Sequence, residues 1–151
     1  MYNDIRMRIM VVCAAVSLLS LVFMILDQHR CEEAFRLYHS GIAHVESKEY
    51  TIAIQELKAS IAIKSDFGPS YKYLGLAQLG SSDYFDSSVN LLTALRLSPV
   101  YEDGGLRYYL GNAYLGSGDI DAAKRQWRET LHLRGSPAAM LAAKQLAKHG
   151  G

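Results

Sequence analysis

The chain has little of what most enzymes and small secreted folds depend on. Only two of its 151 residues are cysteine, Cys13 and Cys31. If the segment between them is helical, about 27 Å of rise separates them, too far for an intrachain disulfide. No disulfide framework exists, so the cysteines do not assign a redox compartment. Three prolines and 12 glycines are too few for a fibrous chain. Charge of one sign is lacking: 16 Lys and Arg face 15 Asp and Glu, a net charge of +1. That balance argues against non-specific nucleic-acid binding. Catalytic patterns are missing as well: no H-E-x-x-H, no paired C-x-x-C and no glycine-rich phosphate loop occurs. His29, His39, His44, His132 and His149 are scattered, and His39 and His44 are five apart, which puts them on different faces of a helix. No catalytic residue, metal site or cofactor is expected.

The averages hide a split. Residues 9–26, from Ile9 to Leu26, carry no charge. Eighteen such residues suffice for a transmembrane helix, and Arg8 can snorkel at one end. A cleavable signal peptide fits less well. The apolar run is longer than the usual h-region, and no small-x-small pair precedes Asp27. The expectation is an uncleaved signal anchor behind a basic flank, residues 1–8, which holds Arg6 and Arg8. Lys and Arg within 20 residues are tied, Arg6 and Arg8 before the span against Arg30 and Arg36 after it. The first pair is denser. The expected orientation is N-terminus inside and the following domain outside, periplasmic in a bacterium. Ala14, Ala15, Ser17 and Ser20 offer small residues for helix packing within a bilayer. Beyond Leu26, acidic and basic residues are equal in number.

That polar remainder repeats itself. Leu37, Ser40, Gly41 and His44, then Lys48, Glu49, Tyr50, Ala53 and Leu57, open a first unit that ends near Ile61 and Ile63. The second runs through Tyr71, Leu74, Gly75 and Gln78, then Ser82, Asp83, Tyr84, Ser87 and Leu91, to Ala94, Leu95, Leu97 and Pro99. The third has Leu110, Gly111 and Tyr114, then Gly118, Asp119, Ile120, Ala123 and Trp127, ending near Leu131 and Leu133. Gly41 and Gly75 are 34 residues apart and Gly75 and Gly111 are 36, which puts two extra residues near Tyr101 to Asp103. Glycines without a Cβ let facing helices approach, and Leu57, Leu91 and Trp127 then fill the gap. Ser82-Asp83 and Gly118-Asp119 suit the turns. Ser136-Pro137 is an N-cap followed by proline at the first helical position. It opens a capping helix over 136–151 with Lys144 and Lys148 toward its end and a polar outer face.

Three units in phase resemble the tetratricopeptide repeat (TPR) family, two antiparallel helices per 34 residues with L-G-x-x-Y in the first. The resemblance covers residues 34–135. His44 and Gln78 replace its tyrosine, Ser87 its alanine, and Ser65 and Gly135 its closing proline. It implies an all-α fold: a TPR-type α-solenoid of three helix-turn-helix repeats plus a capping helix, preceded by one transmembrane helix. Residues 27–33 would be a link or a helix extension. It also implies a protein-binding groove on the first helices of the units. Carried onto this chain, the groove centres on Tyr38, Ile42, Lys72, Tyr73, Leu76, Tyr108, Tyr109 and Asn112, with Phe35, His39, Val45, Leu79 and Leu115 around them. One subgroup clamps a C-terminal carboxylate with Lys, Arg and Asn. Lys72 and Asn112 match, but Tyr38 and Ile42 stand where the first unit should be polar, so that ligand is not expected.

The expected partners are proteins, presenting a peptide segment or a helix, and the membrane through residues 9–26. Nucleic acid and small-molecule substrates are not. The function read from this is a membrane-anchored interaction module serving as an assembly factor or scaffold. The alternatives are a permanent structural subunit of a membrane complex held by its span, and a targeting receptor on an organelle surface. Lys124, Arg125 and Arg128 read as a solvated helix face.

Overall fold

A computed structural model describes residues 2–97, 105–133 and 135–150. Among these residues there are seven helices and no strand. The fold is an all-α TPR solenoid with one long apolar helix at its start. Helix α1 spans Tyr2–Glu46, α2 Tyr50–Ile63, α3 Gly68–Gly80, α4 Tyr84–Leu97, α5 Gly105–Gly116, α6 Ile120–Thr130 and α7 Pro137–Lys148. The A helices of the three units are the end of α1, then α3 and α5. The B helices are α2, α4 and α6. The expected closing residue Pro99 and the extra residues at Tyr101 to Asp103 lie outside the described residues.

Helix α1 is 45 residues long and has no break between the apolar segment and the first repeat. Residues 27–33 are a helix extension, not a loop. The sequence explains this: no Gly or Pro falls between Asp27 and Ser40. Arg36 also donates to Glu33 at 2.6 and 2.9 Å along the exposed face. That hydrogen-bonded pairing holds the Glu33 carboxyl below its ordinary pKa. In the apolar part, the Ser17 hydroxyl donates to the Cys13 carbonyl at 2.9 Å and Ser20 to Ser17 at 2.8 Å. Both hydroxyls are thus satisfied within the helix. The side chains from Met10 to Leu26 are exposed and pack on nothing in the rest of the protein.

The A helices all stop in the same way. Glu49 N–H donates to His44 O and Lys48 N–H to Val45 O. Asp83 and Ser82 repeat this with Gln78 and Leu79, and Asp119 and Gly118 with Tyr114 and Leu115. This is the Schellman pattern, whose C′ residue must be left-handed. Here that residue is Lys48 (φ 64°), Ser82 (φ 67°) or Gly118 (φ 89°). Asp119 then caps α6, accepting from Ala122 N–H at 2.9 Å. Ser136 caps α7 through Ala139 N–H, as expected.

Within each unit the glycine contact dominates. A Cβ on Gly41 would lie 2.6 Å from Leu57 Cγ, and one on Gly75 would lie 2.7 Å from Leu91 Cγ. One on Gly111 would overlap the Trp127 indole, 2.6 Å from Cδ1. Leu57, Leu91 and Trp127 are fully buried there. Between units a second contact recurs. The Tyr50 ring covers Gly80 and the Tyr84 ring covers Gly116, each so closely that a Cβ would collide with the ring.

Most buried polar side chains among the described residues are paired. Ser60 Oγ donates to Ala34 O at 2.9 Å and lies 2.9 Å from Ser70 Oγ. Ser87 donates to Gly75 O at 2.7 Å. Buried Gln78, standing where the family has tyrosine, accepts from Asn90 Nδ2 at 2.7 Å. His44 is also explained by packing: its Nδ1 sits 2.8 Å from Glu56 Oε2, and Ser40 donates to Glu56 Oε1.

The capping helix departs from expectation on one point. Its solvent-exposed surface is not wholly polar, since Met140 and Leu141 are exposed. Ala139, Ala142 and Leu146 take the buried positions of α7, which packs against α5 and α6.

Candidate functional site: a tyrosine-lined concave face

The A helices place five of the eight central groove residues in two hollows. The first, about 140 Å³, is lined by Tyr38, Lys72 and Tyr73 together with Gly68, Pro69, Ala94 and Leu106. The second, about 260 Å³, is lined by Tyr108, Tyr109, Gly105, Pro137, Ala138 and Leu141. Ile42, Leu76 and Asn112 line neither hollow. They are half-buried on α1, α3 and α5.

The eight central groove residues are half-buried, and the tyrosines have structural contacts of their own. Tyr38 and Tyr73 meet edge-on at 5.8 Å and both pack on the core around Ala53, Leu57 and Leu74. Tyr108 and Tyr109 meet edge-on at 5.5 Å. They point to opposite neighbours: Tyr109 packs toward Leu106 and Leu110, Tyr108 toward Trp127 and Ala142. Such rings are fixed in place before any ligand arrives, which reduces the entropy lost on binding. Of the outer lining residues, Val45, Leu79 and Leu115 pack against the three core clusters. Phe35 and His39 are exposed beside Phe67 and Tyr38 respectively.

Asn112 carries an unanswered polar atom. Its Oδ1 is buried and has no hydrogen-bond partner among the described residues. A buried acceptor left unmade costs about 1–3 kcal/mol.

Sequence reasoning missed Phe67. It precedes the Gly68-Pro69 start of α3 and meets Phe35 at 5.0 Å and Tyr38 at 5.1 Å, both edge-on. The available signal was an aromatic residue at a helix N-cap, a place where Ser, Thr, Asp or Asn is usual. Pro137 and Leu141 were likewise assigned to the cap, although they form one wall of the second hollow.

Two other surfaces bear on function. On α4, Phe85, Val89 and Leu92 form an exposed apolar stripe at helical spacing on the B-helix side. The basic residues of α6 are only partly solvated: Lys124 is half-buried and donates to Gly150 O at 2.8 Å, while Arg125 and Arg128 are exposed. Among the described residues no group of His, Cys, Asp or Glu is arranged to hold a metal ion.

Stacked helix pairs with glycine-mediated crossings and a concave face of A helices define the class: an α-solenoid. Within that class the fold is that of a TPR domain. The chain is similar to the TPR domain of Arabidopsis OM64, with a TM-score of 0.71 and 18% identity. The match covers 80% of this chain and 98% of that one. No protein-family model matches the sequence, and no curated protein sequence matches it.

Proposed function

We propose that the protein is a membrane-anchored binding module that recruits a peptide segment or helix of another protein through its concave face. It acts as an assembly factor or scaffold for a membrane complex. The observation that carries this reading is the pair of preformed, tyrosine-walled hollows on the same row of helices that begins with the apolar segment. Tyrosine combines large apolar contact with a polar tip, and pairs of fixed rings suit a peptide backbone. The apolar half of α1, packed on nothing else in the protein, supports insertion of residues 9–26 in a bilayer. Anchoring confines the concave face to the membrane surface, which raises its effective concentration toward membrane-bound partners. The repeat domain lies outside if Arg6 and Arg8 hold the N-terminus inside.

The test is purification of tagged full-length protein from its own membranes in mild detergent, followed by mass spectrometry. Tyr73→Ala/Tyr108→Ala is run beside wild type, with circular dichroism to verify the fold. The expected result is a stoichiometric partner set that the folded double variant loses. The same set retained would move the function to the membrane helix or to the Phe85, Val89 and Leu92 stripe. The protein would then be a structural subunit held by packing.

A further inference from the structure

The unbroken backbone of α1 fixes more than attachment. Granting the anchor proposed above, it also sets which end of the solenoid faces the bilayer. Counting about 1.5 Å per helical residue from Leu26, Ala34 stands about 12 Å above the end of the apolar segment and Ser47 about 32 Å above it. A helix tilt of about 20° shortens these heights by only about 6%.

Side-chain contacts carry the heights to the neighbouring helices. Ser60 reaches the Ala34 carbonyl and the Ser70 hydroxyl, both at 2.9 Å. The last turn of α2 and the first turn of α3 are therefore level with Ala34, and the Lys64–Phe67 loop lies near that level, about 10 Å above Leu26. The turns that join A to B helices, Ser47–Glu49 and its counterparts Ser81–Asp83 and Ser117–Asp119, lie at the other end.

The two ends differ in charge. Within one helical turn of the A-to-B turns, the described residues include Glu46, Glu49, Asp83, Asp86, Asp119 and Asp121 against Lys48. At the opposite end they include Lys64, Arg96, Arg107 and Arg128 against Asp66 and Glu129. The junctions at that end also carry Glu102, Asp103 and Arg134 in the sequence, so its charge is mixed, and the A-to-B turns form the acidic end of the solenoid. An anionic surface repels the acidic end.

We infer that the solenoid stands on the bilayer with its B-to-A loop end against phospholipid headgroups and its acidic A-to-B turns directed away. The concave face then runs along the membrane instead of pointing from it. Its occupant is held level with the surface, as is a juxtamembrane segment of another membrane protein.

The experiment uses full-length protein in vesicles of phosphatidylcholine and phosphatidylglycerol that carry a nitroxide on headgroups of both leaflets. A fluorophore is placed at Ser65→Cys or at Ser117→Cys, each with Cys13→Ala and Cys31→Ser. Both serines are exposed, so neither label enters the core. Because the quencher is in both leaflets, either direction of insertion gives the same reading. The expected result is several-fold stronger quenching at residue 65 than at residue 117. Protein that floats with the vesicles but is quenched equally at both positions, or more at residue 117, overturns the orientation alone. Protein that does not float with the vesicles overturns the anchor and the orientation with it.

Discussion

Gly111→Ala sets two physical effects against each other. Helix propensity alone makes alanine the better residue in the middle of α5, by about 1 kcal/mol. Packing says the reverse. The new Cβ would sit 2.6 Å from Trp127 Cδ1 and 3.0 Å from Cε2, on a ring that is fully buried. The ring has no solvent to move into. It is held from the other side by α7, and its Nε1 donates to the Tyr108 carbonyl at 3.3 Å. Overpacking of this kind costs about 1–3 kcal/mol. Displacing the indole also gives up a hydrogen bond of about 1 kcal/mol. With the propensity gain subtracted, the net loss is about 2 kcal/mol. For a domain of this size that lowers the melting temperature by about 8 °C. The assay is thermal unfolding followed by far-ultraviolet circular dichroism, variant against wild type in the same detergent. A variant melting at or above wild type would refute the glycine crossing as the organising contact of the third unit.

Three further outcomes follow from the same contacts. Ser82→Gly should stabilise the fold by about 0.5–1 kcal/mol, because Ser82 holds a left-handed backbone that glycine adopts without a Cβ penalty; urea unfolding measures it. Asn90→Ala should destabilise by about 1–3 kcal/mol by stranding the buried Gln78 carbonyl, with Asn90→Gln as the partial rescue in the same unfolding assay. Tyr84→Ala should cost about 2 kcal/mol and broaden the thermal transition, since it empties the contact over Gly116 that couples the second unit to the third; a sharp, unshifted transition would contradict that role.

The contacts inside each unit were legible in the sequence because they recur at fixed spacing. Gly41 with Leu57, Gly75 with Leu91 and Gly111 with Trp127 are all sixteen residues apart. The contacts between units were not legible. Tyr50 over Gly80 and Tyr84 over Gly116 cross a unit boundary, and the second crosses the longer junction, so the spacing changes between them. The third unit has Ile120 at the corresponding place, which leaves two instances and no clear pattern. The groove tyrosines could be placed on A helices from phase alone. Their division into two hollows could not, because it depends on which neighbour each ring packs against. Tyr108 and Tyr109 are adjacent in sequence and turn to different clusters. Phe67 was hidden because loop residues have no periodicity to reveal a facing partner.

The continuity of α1 also has a mechanical consequence. A hinge between the apolar segment and the repeats would let each turn independently. Here they share one ladder of backbone hydrogen bonds, so the helix works as a crankshaft. With residues 9–26 in a bilayer as proposed above, rotating that segment rotates the first repeat with it. Adding or deleting a single residue between Leu26 and Ala34 would swing Tyr38 by about 100° around the axis while changing its height by only about 1.5 Å. The number of residues in that stretch therefore sets a direction much more than a distance.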